Sequence, residues 1–419
     1  MNGDTSTSGA LPPSQGNENA IRDPSLRHRA ARCFSLTSFT PFASLEVMTA
    51  DIDQALRLRG VQVFSHMHYG DMNADLFKRQ FVLAAQYPGR RFAMDVNVTN
   101  NFMSGDRSLY DVWSLPRFTF LTDSPVHKIA QFRTFPRTGL IGLIDMDFME
   151  IVTDLGLPID RCFPFAHAGP PPAPVQPDAA DRPVDVLIAG NIGPTPLLAD
   201  WLQAESGGDP IKRAALDAAL ERCRTCDAGL WQILKEELTN RGADTSADSM
   251  VPLATALEGY LIAMRRKEIL ESASQGAVHY SGYIAPAANL TLPDNITHHG
   301  PLPFLDILDL MTNAKIVVNT SPSFRNGPHE RIFYGLSRGA FILTEPSRFM
   351  AETVDGGYGA AFLPWDGTRI NDAVTETLDR DLDTVRHAAL PYYADNHTWA
   401  ERVDRLLAEL EERFWKEIQ

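Results

Sequence analysis

The sequence predicts an α/β protein built from two doubly wound parallel-sheet domains, and three observations lead there. From Val61 onward, apolar strand-like runs alternate with helical patterns, as parallel strands joined by crossover helices do. The stretch Gly169 to Pro183, GPPPAPVQPDAADRP, breaks every period and separates two such series. The chain's 419 residues also exceed a single typical core.

Residues 1–26 are rich in Ser, Gly, Asn, Pro and Thr, bury too little apolar surface to repay their ordering entropy, and are expected to form a disordered head. Residues 27–175 form the N-terminal domain, with strands expected at VQVFSH, RFAMDVNV, FTFLTD, LIGLI and RCFPFAH and a helix at ADLFKRQFVLAAQ. The C-terminal domain, 183–395, opens with the strand Val184–Gly190. A mostly helical insertion follows over about 195–275, interrupted by the polar NRGADTSADS. Alternation then resumes through VHYSGYI, ITHHG, FLDILDLM, KIVVN, FILTE and AAFLP. Residues 396–419 carry a last helix from Thr398 to Ile418, with Trp399, Val403, Leu406, Leu407 and Leu410 in its apolar stripe.

Thirty-eight Lys and Arg against 53 Asp and Glu give a net charge of −15, a field that repels nucleic-acid backbones and anionic lipid heads. No apolar run is long enough to span a bilayer, and the N-terminus lacks a secretory pattern, so a cytoplasmic location is expected. The four cysteines, Cys33, Cys162, Cys223 and Cys226, are too few for a disulfide framework. Cys223 and Cys226 have metal spacing but no second ligand pair to complete a tetrahedral site.

The segment Lys315 to Pro346 reads as strand, polar loop, short helix and strand. Ile316-Val317-Val318 is a buried-strand run and Arg325-Asn326-Gly327-Pro328 is turn chemistry. Ile332, Phe333 and Leu336 give a helical face that Gly339 closes. The helix start then faces the loop, where free N–H groups and the helix dipole favour an anion. Arg325, His329 and Arg331 add charge or donors for a diphosphate, and Asn319 and Ser321 end the preceding strand. On these residues alone an ordinary α/β crossover explains the segment equally well. Gly190-Asn191-Ile192-Gly193 follows the domain's first strand and lets a backbone approach a phosphate, Gly193 included.

The order of loop, His329-Glu330-Arg331-Ile332-Phe333, small-residue helix, Gly339 and apolar strand resembles the donor-sugar segment of GT-B glycosyltransferases, especially the CgeB-like group named for a spore-maturation protein. FTFLTDSPVH, Phe118 to His127, resembles that family's N-domain strand with its Asp-x-Pro loop; His397-Thr398-Trp399 with Arg402 resembles its last helix start. The resemblance implies two Rossmann-like sheets facing across a cleft, with the last helix crossing back onto the N-terminal, acceptor-binding domain. It also implies glycosyl transfer of hexosyltransferase type, with a nucleotide diphosphate sugar as donor substrate and no catalytic metal or other cofactor. The acceptor, whether glycan, lipid-linked sugar, protein or small molecule, is left open, as are retention or inversion at the sugar. Tyr334 stands where the family has a Glu that holds the donor ribose; Glu330, one turn earlier, either substitutes for it or caps the helix.

Ligands of parallel sheets collect beyond the carboxyl ends of the strands, which singles out His66, His68, Asp71, Asp95, Asn97, Asp123 and His127 on the N-terminal side. An acceptor hydroxyl needs a base, and Asp123 and His127 are the first choice; a turn in which Asp123 merely accepts backbone N–H groups is the alternative. Two other functions fit the same fold. One is a nucleotide-sugar 2-epimerase; the other is a carbohydrate-binding protein that has lost the ribose contact at Tyr334.

Overall fold

The computed structural model describes residues 31–38, 40, 43–68, 74–190, 195–225, 228–273, 275, 280–283, 294–363 and 369–416. The Ser-rich head, Asp71, Gly193 and Cys226 lie outside the described residues, as do the side chains of His68, Tyr280 and Tyr283.

The first sheet contains β1 (Arg32–Ser38), β2 (Gln62–His68), β3 (Arg91–Val96), β4 (Arg117–Leu121), β5 (Gly139–Leu143) and β6 (Cys162–Pro164). All pair in parallel, in the order β2-β1-β3-β4-β5-β6. Every residue of β4 and β5 is buried, so these central strands read as continuous runs rather than alternations. Sequence periodicity finds five of the six strands but overlooks β1 and the helix after it, α1 (Ser44–Leu58). In β1 the polar Ser35 and Thr37 are buried beside Cys33, Phe34 and Leu36, so no apolar run marks it. The helix after β2, α2 (Ala74–Gln86), stands where its apolar period places it.

The second sheet contains β7 (Val184–Ala189), β8 (Tyr280–Tyr283), β9 (Ile296–His298), β10 (Ala314–Asn319), β11 (Phe341–Thr344) and β12 (Ala360–Phe362). It too is parallel, in the order β9-β8-β7-β10-β11-β12. Chain direction across the sheet therefore reverses between β7 and β10, and in the first sheet between β1 and β3. Ligand crevices form at such reversals, beyond the carboxyl ends of the strands.

Four helices follow β7: α3 (Leu198–Glu205), α4 (Pro210–Thr225), α5 (Leu230–Asn240) and α6 (Ala247–Ala273). Trp201, Leu216, Trp231 and Leu257 from these helices share one hydrophobic cluster with Phe120, Phe148 and Ile151 of the first sheet's layers. At 27 residues α6 is about 40 Å long. Its earlier half, Leu253 to Leu261, packs in that cluster, while Ile269, Leu270 and Ala273 pack under the second sheet against Val186 and Ile316.

The short helix after β10 is α7 (Glu330–Ser337), and α8 (Trp399–Leu410) ends the chain's regular helices. The α8 stripe is buried on the first sheet's side: the Trp399 ring centroid lies 5.8 Å from Phe120, and Arg59 after α1 pairs with Asp404 at 2.6 Å. The Pro-rich stretch is not a loose tether. The Gly169 N–H donates to the His397 carbonyl at 3.1 Å, Trp399 N–H donates back to Gly169 at 3.0 Å, and Ala173 N–H donates to Ser337 at 2.8 Å. A Cβ at Gly169 would collide with the Tyr393 hydroxyl, so only glycine fits this crossing. Among the described residues no helix is long and apolar enough to cross a membrane.

Tyr334 couples the two halves directly, since its hydroxyl, wholly buried, donates to Asp51 on α1 at 2.6 Å. Burial pushes the Asp51 carboxyl up in pKa, and the Tyr334 bond partly offsets that. Tyr334→Phe should therefore cost about 1–3 kcal/mol in chemical denaturation by leaving Asp51 without its donor; an unchanged midpoint would contradict the coupling.

Candidate functional site

Both topological reversals open into one cleft of about 610 Å³ between the sheets. Its second-sheet wall begins with the loop after β10, Thr320 to Phe324, and with His329 and Glu330 at the start of α7. A stripe of α6 forms its floor: Thr255, Glu258, Gly259, Ile262 and Arg266 recur at helical spacing and all face it. The first-sheet wall holds Asn97, Thr122, Asp123, His127 and His167, with Ser44, Leu45 and Met48 of α1.

Gly193 apart, the residues expected to bind phosphate divide into two sets. Ser321, His329 and Glu330 line the cleft. The others are engaged elsewhere. Arg325 is buried and donates Nη2 to the Cys223 carbonyl at 2.5 Å, holding the end of α4. Arg331 donates Nη1 to Asn319 Oδ1 at 2.9 Å, and Asn319 itself bonds Ser321 and Thr344, so this pair braces the end of β10 from within. The Asn326-Gly327 turn does bind an anion, but the anion is this chain's own Asp145: both N–H groups donate to its Oδ2 at 2.9 Å. Asn326 Nδ2 also donates to Asp147. A Cβ on Gly327 would overlap the Ile144 carbonyl, so the turn is packed against the first domain with no room for a phosphate. Tyr334 is committed to Asp51, away from the cleft.

The start of α7 faces the cleft, yet it is not the electropositive end that the sequence suggests. His329 is its N-cap, with Nδ1 2.8 Å from Glu330 Oε2 and 3.3 Å from the Arg331 N–H. His167 Nε2 stands 3.7 Å from the same carboxylate oxygen. Burial lowers the pKa of both imidazoles, His167 to about 4 and His329 below its ordinary value, while the neighbouring Glu330 carboxylate works in the opposite direction. Burial opposes ionisation of Glu330, but His329, His167 and Arg331 outweigh it and hold that carboxyl below the usual range. The chain's own carboxylate thus occupies the positive end of the dipole and offers acceptors for hydroxyls.

Positive charge comes instead from Arg266, which the sequence reading overlooks. Its Nε donates to Thr320 Oγ1 at 3.3 Å, and a Cβ at Gly190 would lie 3.1 Å from it. Gly190 follows β7 and Thr320 follows β10, so the guanidinium sits at the second sheet's reversal. Burial lowers its pKa to about 10, which leaves it charged at neutral pH.

Across the cleft, Asp123 accepts from Asn97 Nδ2 at 2.8 Å, with Lys128 Nζ 3.9 Å away. Its side chain is about half exposed to the cleft, and partial loss of solvent at the cleft wall raises its pKa, the direction that suits a base. Asn97 and Val98 both have left-handed φ, 58° and 54°, a strained state for a β-branched residue. Bonds from Val98 N–H to Thr119 Oγ1 and from Thr122 N–H to Asn97 Oδ1 hold that corner and aim Asn97 at Asp123. His127 Nε2 meets Glu258 of α6 at 2.7 Å, a contact that closes the two walls and raises the His127 pKa. Asp95 has a structural role: it is buried against Arg117 and accepts the Asn100 N–H. His66 lies on the edge strand against Phe34, outside the cleft lining.

Two outcomes test this geometry. A His pKa raised by its partner stabilises the fold fully below the ordinary value near 6.5 and ceases to do so as pH rises through the higher folded value. Glu258→Gln should therefore lower the melting temperature in mildly acidic buffer and lose its effect towards alkaline pH; a pH-independent difference would contradict the pairing. Gly327→Ala should cost about 1–3 kcal/mol in denaturation, the ordinary penalty of overpacking, and a neutral effect would show that the Asp145 clasp is loose.

Residues 265–408 match the family profile described as "Glycosyl transferase-like". No curated protein matches the chain at a significant level. An alpha-glucosyltransferase solved with UDP and a 13-mer DNA is similar to it with 8% identity, covering 90% of this chain and 98% of that one at a TM-score of 0.50. AviGT4, a glycosyltransferase involved in avilamycin A biosynthesis, gives 12% identity, 92% and 98% coverage and a TM-score of 0.49. The glycosyltransferase SnogD from Streptomyces nogalater gives 12%, 90% and 99%, and 0.37. The chain thus has the two-domain GT-B fold, and the greater part of its second domain is glycosyl transferase-like in sequence.

Proposed function

We propose that the chain transfers a glycosyl group from a nucleotide diphosphate sugar to an acceptor hydroxyl, with Arg266 in the place that a metal would otherwise take. The observation that carries this reading is the pairing of Arg266 at the second sheet's reversal with Asp123 and His127 on the facing wall of the same cleft. The acceptor oxygen attacks the anomeric carbon, and the bond from that carbon to the diphosphate oxygen breaks with its electron pair. Negative charge grows on the departing diphosphate, where a guanidinium already in place on the cleft wall stabilises it. In an inverting reaction the acceptor proton passes to Asp123, which Asn97 orients and whose pKa is raised by partial desolvation at the cleft wall. Glu330 accepts from sugar hydroxyls, and Ser321 donates to or accepts from the sugar or phosphates. The same reading places the reaction in the cytoplasm and keeps the kinship with the CgeB-like group.

One observation favours a second reading. The ribose-binding Glu of the resembled family is here Tyr334, which serves the domain contact, as in a carbohydrate-binding protein derived from an enzyme.

Calorimetric titration with UDP-, GDP- and TDP-linked sugars separates the two. Transfer predicts saturable binding of one donor, weakened about 10- to 100-fold by Arg266→Ala, the worth of a charged hydrogen bond. Asp123→Asn should leave that binding intact and lower turnover about 10²- to 10⁴-fold. Binding of free sugars but of no nucleotide sugar would overturn transfer.

A further inference from the structure

A second cavity of about 180 Å³ lies beside the cleft, and Glu258 and Ser323 line both. Its roof is the loop that carries Asp123 and His127, through Ser124 and Val126. Its walls come from the segment after β5 and from the start of α5, so it exists only because the helical insertion packs on the first domain. Phe148, Ile151 and Trp231 give it apolar faces. The Trp231 ring is fixed, since its indole N–H donates to Asp154 at 2.8 Å. The charged lining is of one sign: Asp147, Glu150 and Glu258 contribute carboxylates, and among the described residues no Lys, Arg or His lines the cavity. Glu150 is partly offset by Lys235 at 3.3 Å and Glu258 by His127 at 2.7 Å, and Asp147 accepts from the Asn326 amide.

We propose that this side pocket is the acceptor subsite and that it takes a ring-sized group bearing hydroxyls or an amine in preference to one bearing phosphate or carboxylate. A ring held between aromatic and aliphatic walls here presents its edge to Ser323 and Glu258, at the mouth towards the cleft, beside Asp123 and His127. A carboxylate-lined enclosure repels an anion placed inside it, while hydroxyl and ammonium groups find acceptors. The acceptor role rests on the glycosyl-transfer reading; the charge preference rests on the lining alone.

The test uses the full chain with 5-fluorotryptophan incorporated, the Trp231 fluorine resonance being assigned by its loss in Trp231→Phe. Methyl glucoside, methyl glucosaminide and glucose 6-phosphate are titrated separately, and a UDP-, GDP- and TDP-sugar panel is titrated by calorimetry in the same preparation. The neutral and amino sugars should shift the Trp231 resonance, with glucose 6-phosphate weaker by about tenfold or more. Met146→Tyr, at an exposed position on the pocket lining, should abolish the shift without loss of nucleotide-sugar binding. Glu150→Lys, at a partly exposed position, should narrow the gap between the phosphorylated and neutral probes. Nucleotide-sugar binding with no Trp231 response, or a preference for glucose 6-phosphate, overturns the subsite and leaves glycosyl transfer standing. Probe binding with no nucleotide-sugar binding overturns the acceptor role and retains only a sugar pocket.

Discussion

The cleft depends on α6 being buried in two cores at once. Leu253, Leu257 and Leu261 anchor its first half among side chains of the first sheet, and Ile269, Leu270 and Ala273 anchor its end beneath the second. A helix held at both ends is a strut, and its face between the anchors has nothing to pack on except the gap it spans. That face carries Glu258 and Arg266, eight residues and about 12 Å apart along the axis. Glu258 reaches His127 on one wall while Arg266 reaches Thr320 on the other. The spacing of these two contacts across the cleft is thus set by helical rise rather than by loop conformation. Tyr334 with Asp51 and the Asn326-Gly327 turn with Asp145 fasten the same two halves from outside the cleft.

Much of the anion-binding chemistry here serves internal anions. Two turn N–H groups hold Asp145, the start of α7 carries Glu330, Arg265 pairs with Glu345 at 2.7 Å, and Arg117 with Asp95. Each pairing spares a buried carboxylate the cost of an unpaired charge. Arg266 is the one Lys or Arg among the described residues that line the cleft, where it stands with three carboxylates, Asp123, Glu258 and Glu330.

The doubly wound fold is legible in the chain because apolar runs such as Leu140 to Ile144 and Val184 to Ala189 mark strands buried on both faces, and α2 and α8 keep a helical period. What escapes is β1, whose buried Ser35 and Thr37 interrupt any apolar run. At the site, Asp123, His127 and Ser321 are legible as strand-end residues, and His329 and Glu330 as residues at a helix start. Arg325, Asn326, Gly327 and Tyr334 mislead because their chemistry is satisfied by partners more than a hundred residues away, Cys223, Asp145, Asp147 and Asp51. Local composition tells that a turn binds an anion and is silent on whose anion it is. Arg266 and Glu258 escape for the converse reason: they sit within a long, largely buried helix, where a charge looks like ordinary solvation until the strut's two anchors are known.

A crystal structure of the chain soaked with the nucleoside diphosphate of its best-bound donor tests the central claim most directly. The account predicts diphosphate oxygens within hydrogen-bond distance of Arg266 and of the Thr320 to Ser323 backbone, beyond the ends of β7 and β10, with Asp145 still clasped by Asn326 and Gly327. Diphosphate bound in place of the Asp145 carboxylate, or on the outer face of the second sheet with Arg266 untouched, would contradict it.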